Sequence, residues 1–374
     1  MKKAEIVNVV NMFDKKAMKF MKDLMESFGP SGFEREPAKI VREYMKPYAS
    51  EVISDKLGSI IFVIKGKTQR PRILMAGHLD EVGFVITGID EKTGFLKFGP
   101  LGGWWDQVLL SQRVIVRTKN GDLPGVISSK PPHVLTEEEK KAVVKKEDMY
   151  IDIGACSKEE AVKMGVRMGD PVTPWSPFSV FKDGKFASGK GFDDRIGVFV
   201  MAEAIRRIKE GGVKHPNTIY AAATVQEEVG LRGAKTSAHV VDPDVGIVLE
   251  VDIAGDVPGI QPHQAPTKLG SGPSLLTYDR SMIPNQPLKN FIIDLAERKK
   301  IPLQLSQSTG GGTDAGNIHI DRAGCPSAVI SVPTRHIHTH VGYVSLEDVE
   351  NAIKLTIEII KELDADRVKS FTAL

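Results

Sequence analysis

The sequence predicts an α/β protein: a three-layer α/β/α sandwich around a central mixed sheet, with a small β-rich domain inserted near its start. Three observations predict it. Apolar runs of strand length alternate with stretches of helical period, the pattern of a sheet covered on both faces. That alternation breaks off between residues 83 and 177, where short β-branched runs separated by turn signals replace it. The 374 residues are enough for two domains at about 150 residues each. The expected division is a main domain from 1–82 and 178–374 and an insert from 83–177.

In chain order, Met18, Met21, Leu24, Met25 and Phe28 recur at helical spacing, and Gly29-Pro30 ends that helix. A second amphipathic helix starts near Pro37 and uses Ile40, Val41, Tyr44 and Met45. Residues 58–64 and 72–77 (RILMAG) read as strands, the second apolar enough for the middle of a sheet. Within the insert, 84–87 and 113–116 are strand-like, bounded by the turns Lys92-Thr93-Gly94 and Asn120-Gly121-Asp122. The charge run from Glu137 to Asp148 reads as a solvated loop or short helix. Beyond Phe178 the alternation resumes: helix 197–208, strands 218–225 and 245–251, helix 288–298, strand 328–332 and helix 345–363. The last is opened by the capping pattern Ser345-Leu346-Glu347-Asp348.

Composition narrows the function classes. Apolar residues at 41% and charged residues at 26% are ordinary for a globular chain and exclude a collagen or a disordered tail. A net charge of +2 gives no electrostatic case for nucleic acid or an anionic membrane. Two cysteines, Cys156 and Cys325, make no disulfide framework, so a reducing cytoplasm is expected. Met1-Lys2-Lys3 resembles a signal n-region, but Asn8, Asn11 and Asp14 interrupt the stretch after it, so no leader is expected. No apolar run is long enough to span a bilayer.

The chemistry gathers at the C-terminal ends of the predicted strands, where open α/β sheets place their ligands. His78 and Asp80 follow RILMAG. Asp193 and Asp194 lie between a glycine-rich loop and a helix. Glu227 and Glu228 end AAATVQ, Glu250 and Asp252 end GIVLEV, and His336, His338 and His340 follow AVISV. Each pair alone has a plain reading as a capped turn or a solvated strand end. Together they would leave several carboxylates buried without compensation, and two divalent cations would offset that cost. Imidazole with carboxylate and no thiolate suits Zn²⁺, Co²⁺ or Mn²⁺. A dinuclear site needs a bridging carboxylate, terminal ligands and one free acid as base. Neighbouring Glu227 and Glu228 can divide the ligand and base tasks.

Six motifs occur in order: HLDEVG from His78, GFDDR from Gly191, QEEVGLRGA from Gln226, AGDVPG from Ala254, GGTDAG from Gly311, and Arg335-His336-Ile337-His338. This pattern resembles the M42 family of metallo-aminopeptidases, which includes tetrahedral, glutamyl and deblocking aminopeptidases and proteins named as CelM-type endoglucanases. The likeness covers nearly the whole chain. It implies a zinc-peptidase sandwich and two metal ions per subunit, Zn²⁺ or Co²⁺. It implies His78, Asp193, Glu228, Glu250 and His338 as ligands, with Asp193 bridging and the Asp193–Asp194 peptide cis. Glu227 is then the general base, and Asp80 holds the His78 imidazole in its ligating tautomer. Asp252 competes with Glu250, which matches the family offset from Glu228; His336 and His340 are left outside the ligand set. The resemblance further implies N-terminal residue removal from peptides, a cytoplasmic enzyme, and a dimerisation role for the insert within a hollow tetrahedral homododecamer. Lys130-Pro131-Pro132-His133 matches the family's mobile loop, and Gly310–Gly312 with Thr313-Asp314 would shape the pocket floor.

Two rivals stand beside this reading. One is a glycoside hydrolase using Glu227 and Glu228 as its acid pair, although adjacent residues are poorly placed to flank one bond across a cleft. The other is an inert peptide-binding assembly protein. The N-terminal side-chain preference is not legible from the sequence.

Overall fold

Successive side chains of a strand point to opposite faces, so a strand buried on both faces must be apolar throughout. Arg72–His78 obeys this rule: Ile73 and Met75 enter one core, Leu74 and Ala76 the other. The computed structural model describes residues 12–182 and 184–373. The N-terminal stretch weighed as a leader therefore lies mostly outside the described residues. Among those described, eleven strands form one mixed sheet. Its centre is Thr218–Thr224, Arg72–His78, Val245–Ile253 and Ser327–Arg335, all mutually parallel. Antiparallel pairs flank them, Ile60–Ile64 on one side and Gly342–Ser345 on the other.

Helices cover both faces, as expected. The larger core joins Lys15–Glu26, Arg35–Met45, Phe192–Glu210, Gln286–Lys299 and Leu346–Glu362 to the sheet. The smaller joins Arg232–Val241 and Ala315–Ile318 through Ala234, Ala238, Val241 and Ile318. The first helix is rotated from the predicted face: Phe20 is buried beside Met21, Leu24 and Met25, stacked on Tyr44 at 3.8 Å, and Met18 is only half-buried. Arg232–Val241 had no counterpart in the predicted elements. Ser345 caps the last long helix, its hydroxyl accepting from Asp348 N.

Six strands between Gly83–Ile89 and Pro171–Pro174 close into a small antiparallel barrel around Phe84, Ile86, Val114, Val116, Ile127 and Ile151. The charge run forms a short surface helix, Glu137–Lys141, with a Thr136/Glu139 capping box, and a 3₁₀ turn, Lys146–Asp148. No helix among the described residues is long and apolar enough to cross a membrane.

Candidate metal centre

Because the four central strands are parallel, their C-terminal ends share one edge, and the acids and imidazoles converge there. His78 closes its strand with Nδ1 3.0 Å from the Asp80 main-chain carbonyl, which turns Nε2 inward. Nε2 then lies 3.3 Å from Asp193 Oδ1, 3.7 Å from Glu227 Oε2 and 3.8 Å from Glu250 Oε1. On the far side of Asp193, Oδ2 lies 3.4 Å from His338 Nε2, which is 3.6 Å from Glu228 Oε2. Asp193 thus turns one oxygen to each imidazole. The backbone departs from helical geometry at Asp193 and Asp194, and their peptide is cis. Asp194 is fully buried, its carboxylate accepting from His78 N at 3.2 Å and Gly197 N at 3.1 Å.

The expected residues His78, Asp193, Glu227, Glu228, Glu250 and His338 are therefore brought together. Two donor groups, His78/Asp193/Glu228 and His78/Asp194/Glu250, each hold their ligand atoms within 4.8 Å of one another. The second includes Asp194, to which no ligand role was assigned from the sequence. Asp252 is occupied elsewhere: its oxygens accept from Ser274 Oγ at 2.7 Å and Ile253 N at 2.8 Å. His336 is exposed. His340 is buried against the Trp104 ring with neither nitrogen partnered.

Asp80 is engaged differently from the sequence expectation. Its carboxylate is 3.6 Å from His78 Nδ1, beyond hydrogen-bond range, and accepts instead from Glu227 N at 3.0 Å, Glu228 N at 3.1 Å and Ser31 Oγ at 2.6 Å. The imidazole is oriented by the Asp80 carbonyl, the backbone of the Glu227–Glu228 corner by its side chain. His338 has its own orienting acceptor, the Gly103 carbonyl, 2.7 Å from Nδ1. Gly103 belongs to the segment following the second barrel strand, so the insert reaches the centre. A backbone carbonyl leaves no side-chain signature in a sequence. Ser31 and Glu34, also missed, sit in the glycine-containing loop after Gly29-Pro30, and neither residue type marks its role there.

Electrostatics favour a cation. Burial, with Asp193 beside it, pushes Glu228 up to about 8, and burial raises Glu227 and Glu250 well above the usual carboxylate range. Against the effect of burial, Glu227 and Glu250 hold the His78 imidazole well above its ordinary value. Glu228 Oε1 is buried with no hydrogen-bond partner, an orphaned acceptor of the kind a divalent ion satisfies. Carboxylate and imidazole donors without thiolate fit zinc-like ions.

A cavity of about 570 Å³ opens onto this cluster. Gly310–Gly312 and Thr313 line it, together with Asp252, Asp279 and Leu276, and among the described residues no lysine or arginine does. Asp314 lies behind, bonded to Thr224. Beneath the site Glu81, Lys190 and Arg195 form a buried ionic cluster.

The fold is an α/β sandwich with a candidate di-metal centre at the edge of its sheet. The M42 glutamyl aminopeptidase profile matches residues 58–355. A TET aminopeptidase structure from the marine sediment archaeon Thaumarchaeota archaeon SCGC AB-539-E09 is 66% identical, with a TM-score of 0.94, covering 96% of this chain and 99% of that one. The Pyrococcus horikoshii TET1 peptidase, which can assemble into a tetrahedron or a large octahedral shell, is 34% identical over 93% of this chain and 100% of its own, with a TM-score of 0.83. A lysyl aminopeptidase of Pyrococcus furiosus is 36% identical over 92% of this chain and 96% of its own. The chain belongs to the M42 family of metal-dependent aminopeptidases, hydrolases acting on peptide bonds.

Proposed function

We propose that this protein removes N-terminal residues from short peptides with Glu227 as general base, in a site holding two divalent ions. The observation that carries this reading is the placement of Asp193 between the Nε2 atoms of His78 and His338, with Glu227 on one flank and Glu228 on the other. His78 and Glu250 would hold one ion, His338 and Glu228 the other, and Asp193 both. Bound there, zinc or cobalt would supply Lewis acidity, polarising the scissile carbonyl and acidifying water. Glu227 takes the proton of the attacking water and delivers it to the departing amine nitrogen.

The inserted barrel is the proposed self-association element of a tetrahedral homododecamer in the cytoplasm. The capacity of the Pyrococcus horikoshii relative to assemble into a tetrahedron supports that reading. A glycosidase would need two carboxyls flanking one bond, whereas Glu227 and Glu228 face different imidazoles of one cluster.

The test is Glu227→Gln, assayed on leucine, lysine and glutamate p-nitroanilides with and without chelator. The expected loss in kcat is about 10²–10⁴-fold with metal content retained. Equal activity of the two proteins, or hydrolysis of a β-glucan that survives chelation, would overturn the proposal.

A further inference from the structure

The corner bearing Glu227 and Glu228 departs from its strand through Gln226, a non-glycine residue at φ 56°. Such a conformation persists where its surroundings over-determine it. Here three successive backbone N–H groups point at carboxylates. Those of Glu227 and Glu228 donate to Asp80, at 3.0 and 3.1 Å, and that of Gln226 donates to Glu34 Oε1 at 3.0 Å. Glu34 Oε1 also accepts from Gly32 N at 2.7 Å, while Ser31 Oγ braces Asp80 from the same loop.

Glu34 sits at the N-cap of helix Arg35–Met45 and its side chain makes no cap bond. The carboxylate is turned away from solvent, with the residue 7% exposed. Burying a second acid near Asp80 carries a desolvation cost. The return is a hydrogen bond to the residue immediately before Glu227.

We propose that Glu34 is a positioning residue for the catalytic corner: by accepting the Gln226 N–H it fixes the backbone from which Glu227 and Glu228 project. This rests on the reading of Glu227 as base and Glu228 as ligand. Glu34 belongs to neither donor group and does not line the cavity beside them. Its removal acts through the placement of those two side chains, and so on kcat and metal affinity rather than on substrate binding.

The experiment compares Glu34→Ala, Glu34→Gln, Glu34→Asp and Glu227→Gln in the full-length, metal-loaded enzyme. Leucine p-nitroanilide kinetics are measured alongside calorimetric titration of the stripped protein with zinc alone. Glu34→Ala is expected to lose about 10–100-fold in kcat and in affinity for the weaker zinc, with KM within about twofold. Glu34→Gln keeps an oxygen acceptor for both N–H groups and is expected to recover most of both losses. Glu34→Asp keeps the charge but withdraws the acceptor by one methylene. It is expected to lose kcat with a near-native unfolding temperature, and it carries the test if the alanine variant does not fold. Wild-type kcat and zinc affinity in folded Glu34→Ala, or in Glu34→Asp where alanine does not fold, would overturn the proposal. So would a glutamine variant as impaired as the alanine one. Activity surviving in Glu227→Gln would instead overturn the underlying reading of the base.

Discussion

Glu81→Gln should destabilise the protein far more than the loss of one charge on a 374-residue chain suggests. Glu81 Oε1 accepts from Lys190 Nζ at 2.5 Å, Thr173 Oγ1 at 2.7 Å and Arg195 Nη2 at 3.2 Å, and all four side chains are buried. It joins the loop after the His78 strand to the barrel, through Thr173, and to the start of the Asp193 helix. Arg195 retains five main-chain carbonyl acceptors without it, from Leu24, Met25, Ser27, Gly29 and Leu79, whereas Lys190 retains mainly Ser27 O. The variant therefore leaves two buried cations without their counter-charge, a loss of about 3–5 kcal/mol. The pH dependence gives a second handle. Burial pushes the Lys190 ammonium down to about 8 from an ordinary 10.5, with Glu81 opposing the fall. Between those values the unfolded chain binds the proton and the folded chain does not, so stability rises with pH across that window, by roughly 3 kcal/mol in all. Without Glu81 the lower edge moves further down, and stability should already rise with pH near neutrality. Urea unfolding of the metal-loaded protein, at fixed subunit and metal concentration, reads both effects through the fluorescence of Trp104, Trp105 and Trp175. Adding Lys190→Met should return part of the loss and flatten the pH dependence. A Glu81→Gln variant within about 1 kcal/mol of wild type, or a double variant no better than the single, would refute the reasoning.

The same structure sets three further expected outcomes. Trp104 donates to Gly83 O at 3.1 Å and packs on His340, holding the segment whose Gly103 carbonyl meets His338; Trp104→Ala should weaken zinc binding at the proposed His338 position by about 10–100-fold in a calorimetric titration. Among the described residues the cavity beside the centre is lined by Asp252 and Asp279 and by no lysine or arginine, so glutamate p-nitroanilide should fall at least about tenfold below the leucine substrate in kcat/KM. Ser345→Ala removes the cap of helix Leu346–Glu362 and should lower the unfolding free energy by about 1 kcal/mol in urea.

Much of this molecule is legible in its sequence because two periodicities do most of the work. Strand alternation and helical spacing predict the sandwich, and a parallel sheet then brings the strand-end residues His78, Glu227, Glu228, Glu250 and His338 to one edge. Helix Arg232–Val241 escaped although its faces are distinct: the buried one is built largely of small residues, Gly233, Ala234, Ser237 and Ala238, with Val241 the one large apolar side chain on it. The rotation of the first helix has a related cause: Met18 and Phe20 are both apolar, and tertiary stacking on Tyr44 decides which turns inward. What orients the metal-competent groups was the least legible layer, for a different reason. Those orienting contacts run through main-chain atoms: the Asp80 and Gly103 carbonyls on the two imidazoles, and three N–H groups on Glu34 and Asp80. Every residue carries such atoms, so no residue type marks them. Their carboxylate partner Glu34 shows itself only in the structure, by its burial. In this family member, residue identity marks the metal-competent groups, and backbone geometry drawn from the barrel and the N-terminal loop as well as the sheet determines how those groups are held.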